Sequence, residues 1–413
     1  MSNAGVPPAW QCVLTGEGRG AIAVVRLWGP GALSVADAAF HPRRRGRLGE
    51  GAVGQLRYGS IGAGRGDEVV ATVLPGNPPE VEVHCHGGPA PLALVIDALE
   101  SAGAQKRPAE HWLRTDSVSS VAAEARVDLA RASTLRVAEI LLDQAQGALD
   151  RDCQQVIDAR DANLASALGP RESLIPPPVT LHPPPATALG LLESLIQRAE
   201  VGSRLLDGWR VVLAGRPNVG KSRLLNALAG FGRAIVDPAP GTTRDVVTVR
   251  TAFDGWPVEL ADTAGLRDSD DPIESSGMHL AIAEQERADL VLLVLDRSEP
   301  LTEADRQLAG RHPHALWVTN KADLPAAWEP QGPRRLIVSA ERGDGIDLLA
   351  KAIAQRLVPA PPPPGAAVPF RDRHVRLLCQ AQEQLAAGRV EAARQAMLDL
   401  RGSIALIDQQ ANA

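Results

Sequence analysis

The sequence feature that most constrains the fold is a glycine-rich segment, Gly215-Arg-Pro-Asn-Val-Gly-Lys-Ser222, which fits the pattern G-x-x-x-x-G-K-[ST]. A strand-like apolar run ends just before it, and a helix-like run over 223–229 follows. The backbone N–H groups of such a loop bind phosphate, its lysine reaches the β- and γ-phosphate oxygens, and its hydroxyl binds Mg²⁺. The pattern predicts a strand–loop–helix unit whose nucleotide-binding residues are Asn218, Val219, Gly220, Lys221 and Ser222.

Strand-like and helix-like runs alternate around this loop over residues 208–358. The strand-like runs lie at 210–214, 258–261, 290–295, 315–318 and 336–338. This alternation is typical of an α/β fold, here a P-loop domain with a doubly wound parallel sheet. Because the carboxyl ends of parallel strands meet at one edge of a sheet, we expect the motifs that follow these runs to lie together.

Three further motifs follow predicted strands. Asp262-Thr-Ala-Gly265 offers a carboxylate for Mg²⁺ and a glycine amide near the γ-phosphate. Asn320-Lys321-Ala-Asp323 resembles the guanine-reading N-K-x-D motif, in which the aspartate accepts hydrogen bonds from guanine N1 and N2, and Ser339-Ala340 resembles the loop that supports the guanine carbonyl. Because adenine lacks those donors, the motifs together predict GTP as the nucleotide.

The segment Pro240-Gly-Thr-Thr-Arg-Asp245 can place a threonine, Thr243, on Mg²⁺ beside Ser222. Leu266 follows the Asp-Thr-Ala-Gly motif, where Ras-like enzymes carry the glutamine that orients the attacking water. The water must therefore be positioned in another way. The side-chain oxygen of Asn218 is a candidate ligand for a monovalent cation at the place where an arginine finger would act.

The rest of the chain divides around two proline-rich stretches, 176–185 and 359–369, which are predicted to be extended linkers. Short strand-like runs at 21–27, 68–74 and 81–85, with a helix-like run at 91–99, predict a small α/β unit. Helical patterns over 121–164, 191–206 and 371–407 predict a helical domain interrupted by the central region, since neither half can bury its apolar face alone. The predicted domains are 1–110, 111–207, 208–358 and 366–413.

Composition excludes several classes of protein. No apolar run approaches the ~20 residues of a membrane span, and the N-terminus shows no basic segment followed by an apolar core. The four cysteines are far apart and indicate no disulfide framework. A net charge of −6 with 3% aromatic residues argues against a dedicated nucleic-acid binder. We expect a cytoplasmic protein without a membrane partner.

The G-domain motifs resemble those of the MnmE (TrmE) family, the potassium-activated GTPases of tRNA wobble-uridine modification. The segment Asp262–Gly277 resembles that family's D-T-A-G-L-R-x6-E-x-x-G. The resemblance implies that Glu274 orients the catalytic water through a second water, and that Asn218 and Thr242 help to bind K⁺. It also implies that G domains pair in a homodimer, that an FAD-dependent partner of the MnmG type takes part, and that tRNA is bound through that complex.

The N-terminal region resembles the same family. Gly18–Leu27 is similar to its G-R-G-x5-R segment, and Glu82–Pro89 is similar to its E-x-x-x-H-G-G segment. The resemblance implies a folate-binding-like domain that takes 5-formyl-tetrahydrofolate, with Arg26 and Glu82 in contact with it. Arg126 stands where the family has a folate-contacting lysine.

Two departures from the family pattern leave an alternative open. The sequence ends in Gln409–Ala413 without the family's C-[IL]-G-K motif, and 75–79 replaces its F-T-G-E-D loop. The alternative is a divergent GTPase switch with a protein or ribosomal partner that has lost the modification chemistry. This alternative is opposed by three retained features of the family pattern, namely Arg26, Glu82 and the His-Gly-Gly segment.

Overall fold

A computed structural model of the chain describes residues 7–15, 20–44, 46–62, 66–115, 117–158, 187–232, 247–262, 285, 287–330 and 335–402. The chain divides into two compact units, residues 1–117 and 118–413. None of the helices in the described ranges is long and apolar enough to cross a membrane.

The first unit is built on a sheet that has seven strands in its described part. Its elements are β1 Ala9–Val13, β2 Ile22–Trp28, α1 Ala32–Ala39, β3 Phe40–Pro42, β4 Arg57–Ile61, β5 Asp67–Leu74, β6 Glu80–His86, α2 Pro89–Ser101, β7 Ala104–Lys106 and α3 Ala109–Thr115. The strand order is β3-β4-β5-β6-β2-β1-β7. Neighbouring strands are antiparallel except for the parallel pair β1–β7. The predicted strands correspond to β2, β5 and β6, and the predicted helix corresponds to α2.

The two faces of this sheet differ in chemistry because successive strand residues point to opposite sides. Val25 and Leu27 of β2 are fully buried in a cluster that includes α1 and α2. Arg26, between them, points to the other face, where it lies opposite Glu82 of β6 in the strand register. Thr72 of β5 is the next residue in that cross-strand row. One face is therefore an apolar core and the other carries polar side chains.

The second unit contains a sheet that has six strands in its described part. The elements of this region are β8 Trp209–Ala214, α8 Lys221–Phe231, β9 Val247–Phe253, β10 Trp256–Asp262, β11 Leu290–Asp296, α9 Glu303–Arg311, β12 Leu316–Asn320, β13 Arg335–Ile337 and α10 Ile346–Leu357. The strand order is β13-β12-β11-β8-β10-β9. The prediction of a parallel α/β sheet is confirmed for five of these strands.

Strand β9 is a correction to the all-parallel expectation, because it pairs antiparallel with β10. The turn between them is Asp254-Gly255, whose φ angles are 49° and 78°. An Asp-Gly pair tolerates these left-handed conformations and is a strong hairpin signal in a sequence. The antiparallel edge strand could therefore have been found from that dipeptide.

Helices from before and after the sheet pack together in the second unit. They are α4 Ser120–Leu129, α5 Leu135–Ala145, α6 Ala148–Asp158, α7 Ala188–Gly202, α11 Asp372–Ala386 and α12 Val390–Arg401. Helix α4 packs on α5, α6 on α12, and α7 on α11. The predicted continuous helical pattern from 121 is broken at Thr134, which caps α5, and at Gly147, which has φ 87°.

The second proline-rich stretch, predicted to be a linker, is packed against these helices. Gln144 donates to Ala366 O and accepts from the Val368 N–H, both over 3.0 Å, and Val368 is fully buried. Arg198 donates to Ala367 O over 3.0 Å. Side chains from α5 and α7 therefore satisfy backbone groups that proline-rich chain cannot pair within itself. The first stretch, 176–185, lies outside the described residues.

An ion-pair cluster joins the start of α11 to α4. Arg371 donates to both carboxylate oxygens of the buried Asp128, over 2.9 and 2.8 Å. Arg373 forms the same two-point contact with Glu124, over 2.7 and 2.8 Å, and His374 Nε2 lies 2.9 Å from Glu124 Oε2. Burial alone would raise the pKa of Glu124, but the hydrogen bonds from His374 and Arg373 overcome that effect and lower it to about 2.

This cluster predicts a specific loss of stability in acid. A carboxyl whose folded pKa lies below its unfolded value stabilises the fold above the unfolded pKa, and that contribution disappears as pH falls from about 4.5 through about 2. We expect Glu124→Gln to remove about 2–3 kcal/mol of this acid sensitivity. Urea unfolding followed by circular dichroism across that pH range measures it.

Glu391→Gln is the matched control, because Glu391 is 83% exposed on α12 and is paired only within its own helix turn in the described structure. It should leave the pH dependence unchanged. Equal acid sensitivity of the wild type and Glu124→Gln would contradict the assignment.

Candidate nucleotide site

The carboxyl ends of β8, β11, β12 and β13 open onto a cavity of about 960 Å³. Loops after parallel strands form clefts at this edge of an open α/β sheet. Eight of the residues predicted to bind nucleotide line it: Asn218, Gly220, Lys221, Ser222, Asn320, Lys321, Asp323 and Ala340. Val219 and Ser339 are buried immediately behind this lining.

The conformation of the phosphate loop requires its glycines. A Cβ atom at Gly215 would lie 2.5 Å from Val294 O, and one at Gly220 would lie 2.4 Å from Asn320 Nδ2. Gly220 also has φ 93°, which side chains disfavour. The non-glycine residue Asn218 has φ 65°, in the left-handed region that asparagine tolerates, and its side chain is exposed to the cavity.

Lys221 and Ser222 lie at the start of α8 with their polar atoms held by nearby groups. Lys221 Nζ donates to Gly215 O over 3.1 Å and to Arg216 O over 2.8 Å. Ser222 Oγ donates to Asp262 Oδ2 over 2.6 Å, which brings together the hydroxyl and the carboxylate predicted to serve Mg²⁺. An ammonium and a hydroxyl at a helix N-terminus, with a carboxylate at the end of β10 beside them, can bind a magnesium-bound polyphosphate.

Asn320 joins the phosphate loop to the loop after β13. Its Nδ2 donates to Val219 O over 3.0 Å, and its Oδ1 accepts from the Ala340 N–H over 3.0 Å. The side chain is only 2% exposed. The two loops that were predicted to hold phosphate and guanine are therefore fixed at one separation by a buried carboxamide.

Asp323 presents the carboxylate predicted to read guanine. Its Oδ1 accepts from Ser339 Oγ over 2.6 Å, and Ser339 Oγ in turn accepts from the Arg342 N–H over 3.1 Å. The hydrogen bond from Ser339 is the main cause that lowers the pKa of Asp323. A carboxylate kept ionised can accept two hydrogen bonds from a guanine edge.

Lys321 is held by Asp296, a residue that the sequence analysis did not identify. Lys321 Nζ lies 2.5 Å from Asp296 Oδ2, and Asp296 is 3% exposed at the end of β11. Burial would raise the pKa of Asp296, but hydrogen bonds from Lys321 and Ser298 lower it overall. Its position directly after a predicted strand, at the same edge as the motifs, was the available signal.

Four predicted residues lie outside the described part of the chain: Thr242, Thr243, Gly265 and Glu274. Their roles toward Mg²⁺, K⁺, the γ-phosphate and the attacking water stay predictions.

In the first unit, Arg26 and Glu82 are brought together on the polar face of the sheet and bond to each other. Arg26 Nη1 also donates to Glu80 Oε2 over 2.8 Å, and its guanidinium lies 4.4 Å from the ring centre of Trp112. Glu82 Oε1 lies 2.6 Å from His84 Nε2. The two residues that were predicted to contact folate are thus half-buried partners in one charged cluster.

Several polar atoms on this face are buried without a hydrogen-bond partner among the described residues: Arg26 Nε, Trp28 Nε1 and Thr72 Oγ1. Such groups are costly unless a water or ligand satisfies them. The sequence analysis identified Arg26 but missed Trp28 and Thr72; the register of three neighbouring strands brings them to one face. Arg126 belongs to α4 of the other unit, where it is half-buried.

Comparisons with known proteins find a matching family model for a part of each unit. Residues 11–111 match the family model described as "GTP-binding protein TrmE N-terminus", and residues 210–321 match the model described as "50S ribosome-binding GTPase". A solved structure of Era from Aquifex aeolicus bound to GDP and AlF4⁻ is 26% identical, covers 42% of this chain and 66% of that chain, and has a TM-score of 0.30.

Relatives that match over most of their own length show which family the chain belongs to. The protein named tRNA modification GTPase MnmE from Chloroflexus aurantiacus is 38% identical over 416 residues, 94% of this chain and 90% of that protein. The chain belongs to the MnmE family. Members from a Synechococcus species and from Thermus thermophilus are 35% and 34% identical and cover 95% and 90% of this chain, and 91% and 87% of their own lengths. The resemblance drawn from the sequence is confirmed.

The close approach of Gly220 to Asn320 allows a test of whether the cavity of this MnmE-family chain binds the nucleotide. We expect Gly220→Ala to lower the affinity for GDP by at least about tenfold, because the new Cβ would displace the carboxamide that fixes both loops. Titration with a fluorescent GDP analogue measures the affinity.

Gly230→Ala is the matched control, since Gly230 lies on α8 and a Cβ there meets nothing within 4 Å. It should retain wild-type affinity. Unchanged affinity in Gly220→Ala would show that the cavity does not hold the nucleotide.

Proposed function

We propose that this chain is a GTP hydrolase that serves tRNA wobble-uridine modification. The observation that carries the proposal is the placement of an ionised Asp323 and the Lys221–Ser222 pair around one cavity. The carboxylate selects guanine, and the loop residues bind the phosphates with Mg²⁺. Membership of a family whose relatives are named tRNA modification GTPases supports the cellular role.

GTP would lie with its guanine toward Asp323, Ser339 and Ala340 and its phosphates on the loop. The Ala340 N–H is already bonded to Asn320, so this contact of the base loop forms without the nucleotide. On binding, the Lys221 ammonium would exchange two loop carbonyls for phosphate oxygens. Ser222 with Thr243 would hold Mg²⁺, while Asp262 would contact the ion through water.

Hydrolysis would depend on K⁺ and on pairing of two G domains. Asn218 supports the cation role, because its exposed side chain lies on the cavity in a loop position beside the β- and γ-phosphates. Thr242 would complete the cation site, Gly265 would contact the γ-phosphate, and Glu274 would orient the attacking water. The cation would then supply the positive charge that Ras-like enzymes receive from an arginine finger.

The homodimer would work in the cytoplasm with an FAD-dependent partner of the MnmG type, and tRNA would bind through that complex. The net charge of −6 supports this indirect contact with tRNA, because a phosphate-binding surface is usually basic. The helices split by the G region, 111–207 and 366–413, would form the domain that hydrolysis moves.

The cation proposal predicts that GTP turnover is at least about tenfold faster in KCl than in NaCl at equal ionic strength. Steady-state phosphate release measures this ratio. Asn218→Ala should reduce the ratio toward one while it keeps GDP affinity, because the side chain would contact the cation and not guanine. Equal turnover of the wild type in the two salts would contradict the proposal.

The polar face of the first unit supports a folate one-carbon donor as a ligand. A pterin offers a flat ring and a hydrogen-bonding edge, and its glutamate tail carries carboxylates. This face supplies an aromatic ring in Trp112 and carboxylate acceptors in Glu80 and Glu82. It supplies donors in two atoms without a hydrogen-bond partner among the described residues, Trp28 Nε1 and Arg26 Nε. Arg126 is proposed as a further contact by family position.

Calorimetric titration with 5-formyl-tetrahydrofolate tests this ligand. Arg26→Ala should lower the affinity by about tenfold or more, because it removes a half-buried donor and leaves two carboxylates without their cation. Arg44→Ala, at an exposed position on the same unit, is the control and should bind as the wild type does. No heat of binding with the wild type would exclude folate from this face.

A further inference from the structure

The phosphate loop is attached to the amino end of helix α9 by a contact outside every nucleotide motif. Arg216 Nε donates to Asp305 Oδ1 over 2.9 Å, and Arg216 Nη2 lies 3.5 Å from Glu299 Oε2. Arg216 is the second residue of the loop, and both acidic partners lie in the segment after β11. Acidic side chains in the segment after β11 therefore hold the start of the phosphate loop.

Asp305 is well suited to hold the loop because its own position is fixed. Its side chain is 2% exposed. Its Oδ2 accepts from the Thr302 N–H over 2.9 Å and from Thr302 Oγ1 over 2.7 Å, as part of the capping box of α9. One oxygen therefore caps the helix and the other holds the guanidinium. A buried, pre-positioned carboxylate loses less side-chain entropy in such a pair than an exposed one does.

The backbone of Arg216 also contacts the Lys221 ammonium, which is predicted to bind the phosphates. Arg216 O accepts from Lys221 Nζ over 2.8 Å, which is shorter than the 3.1 Å hydrogen bond from Lys221 Nζ to Gly215 O. The N–H groups that follow Arg216 are those expected to surround the phosphates. A shift of Arg216 would therefore move the lysine and the phosphate-binding amides together.

We propose that Asp305 is a positioning residue for phosphate binding and acts through Arg216. The pair holds the first turn of the loop in the geometry that receives the phosphates, and it supplies the carbonyl from which Lys221 moves to the nucleotide. This inference rests on the proposed binding of GTP in the cavity. It adds α9, which no nucleotide motif includes, to the elements that determine affinity.

Asp305→Asn and Arg216→Gln test the pair separately and together. The asparagine side chain in the first variant would be uncharged, but its carbonyl oxygen could still accept from Thr302, so the substitution mainly weakens the contact with Arg216. We expect each single variant to raise the Kd for GDP and to lower kcat/KM for GTP by about tenfold. The double variant should be no worse than Arg216→Gln alone, because that substitution already removes the contact with Asp305 together with the weaker contact with Glu299.

Two variants on the same helix separate positioning from helix stability. Thr302→Ala removes the capping hydroxyl but keeps Asp305, Arg216 and the backbone N–H at position 302 that also donates to Asp305 Oδ2; it should lower Tm and leave the Kd for GDP within about twofold of the wild type. Glu303→Ala removes an exposed pair with Arg306, at 3.2 Å, and should change neither quantity.

Two patterns among variants that bind GDP more weakly would overturn the proposal. One is additive effects of Asp305→Asn and Arg216→Gln in the double variant. The other is a loss of GDP affinity in Thr302→Ala as large as that in Asp305→Asn, since Asp305 would then act through helix stability alone. Failure of the wild type to bind GDP would overturn the nucleotide site itself, whereas tight binding by wild type and variants alike would overturn only the role of Asp305.

Discussion

The buried carboxamide of Asn320 is the interaction on which the nucleotide site depends. A nucleotide that spans two loops binds more tightly if their separation is fixed before it arrives, because ordering them on binding would cost affinity. Asn320 fixes it with one donor and one acceptor, each at 3.0 Å from a backbone group of a different loop. An aspartate at this position would lack the donor, and a leucine would lack both groups.

The rest of the second unit supports this arrangement. The hairpin that leads to Asp262 is held at its turn by α5: Thr134 Oγ1 donates to Gly255 O over 2.7 Å, and the Arg136 guanidinium lies 4.9 Å from the ring centre of the buried Trp256. Helices and sheet also share a continuous cluster of buried side chains. Movements of the strand that carries Asp262 are therefore linked physically to the helices.

The sequence predicted the parts of the site that depend on local pattern. The glycines of the phosphate loop, Asn320 and Asp323 follow strands at fixed spacing, so their placement at one edge could be inferred before the structure was known. Asp296 shares this strand-end position, but its contact with Lys321 does not follow from that position alone. Asp305 lies within α9 and has no such signal, because it contacts a loop that is distant in sequence. Both contacts are set by how α9 and β11 pack. Proline content likewise predicted a linker at 359–369, but side chains far away along the chain, on α5 and α7, anchor that segment.

The central claim is that GTP hydrolysis in this cavity drives tRNA modification. Mass spectrometry of tRNA nucleosides from a strain that lacks the gene tests it most directly, with complementation by the wild type or by Lys221→Ala. The account predicts that the modified wobble uridines disappear in the deletion strain, return with the wild type and stay absent with Lys221→Ala. Unchanged levels of these nucleosides in the deletion strain would contradict it.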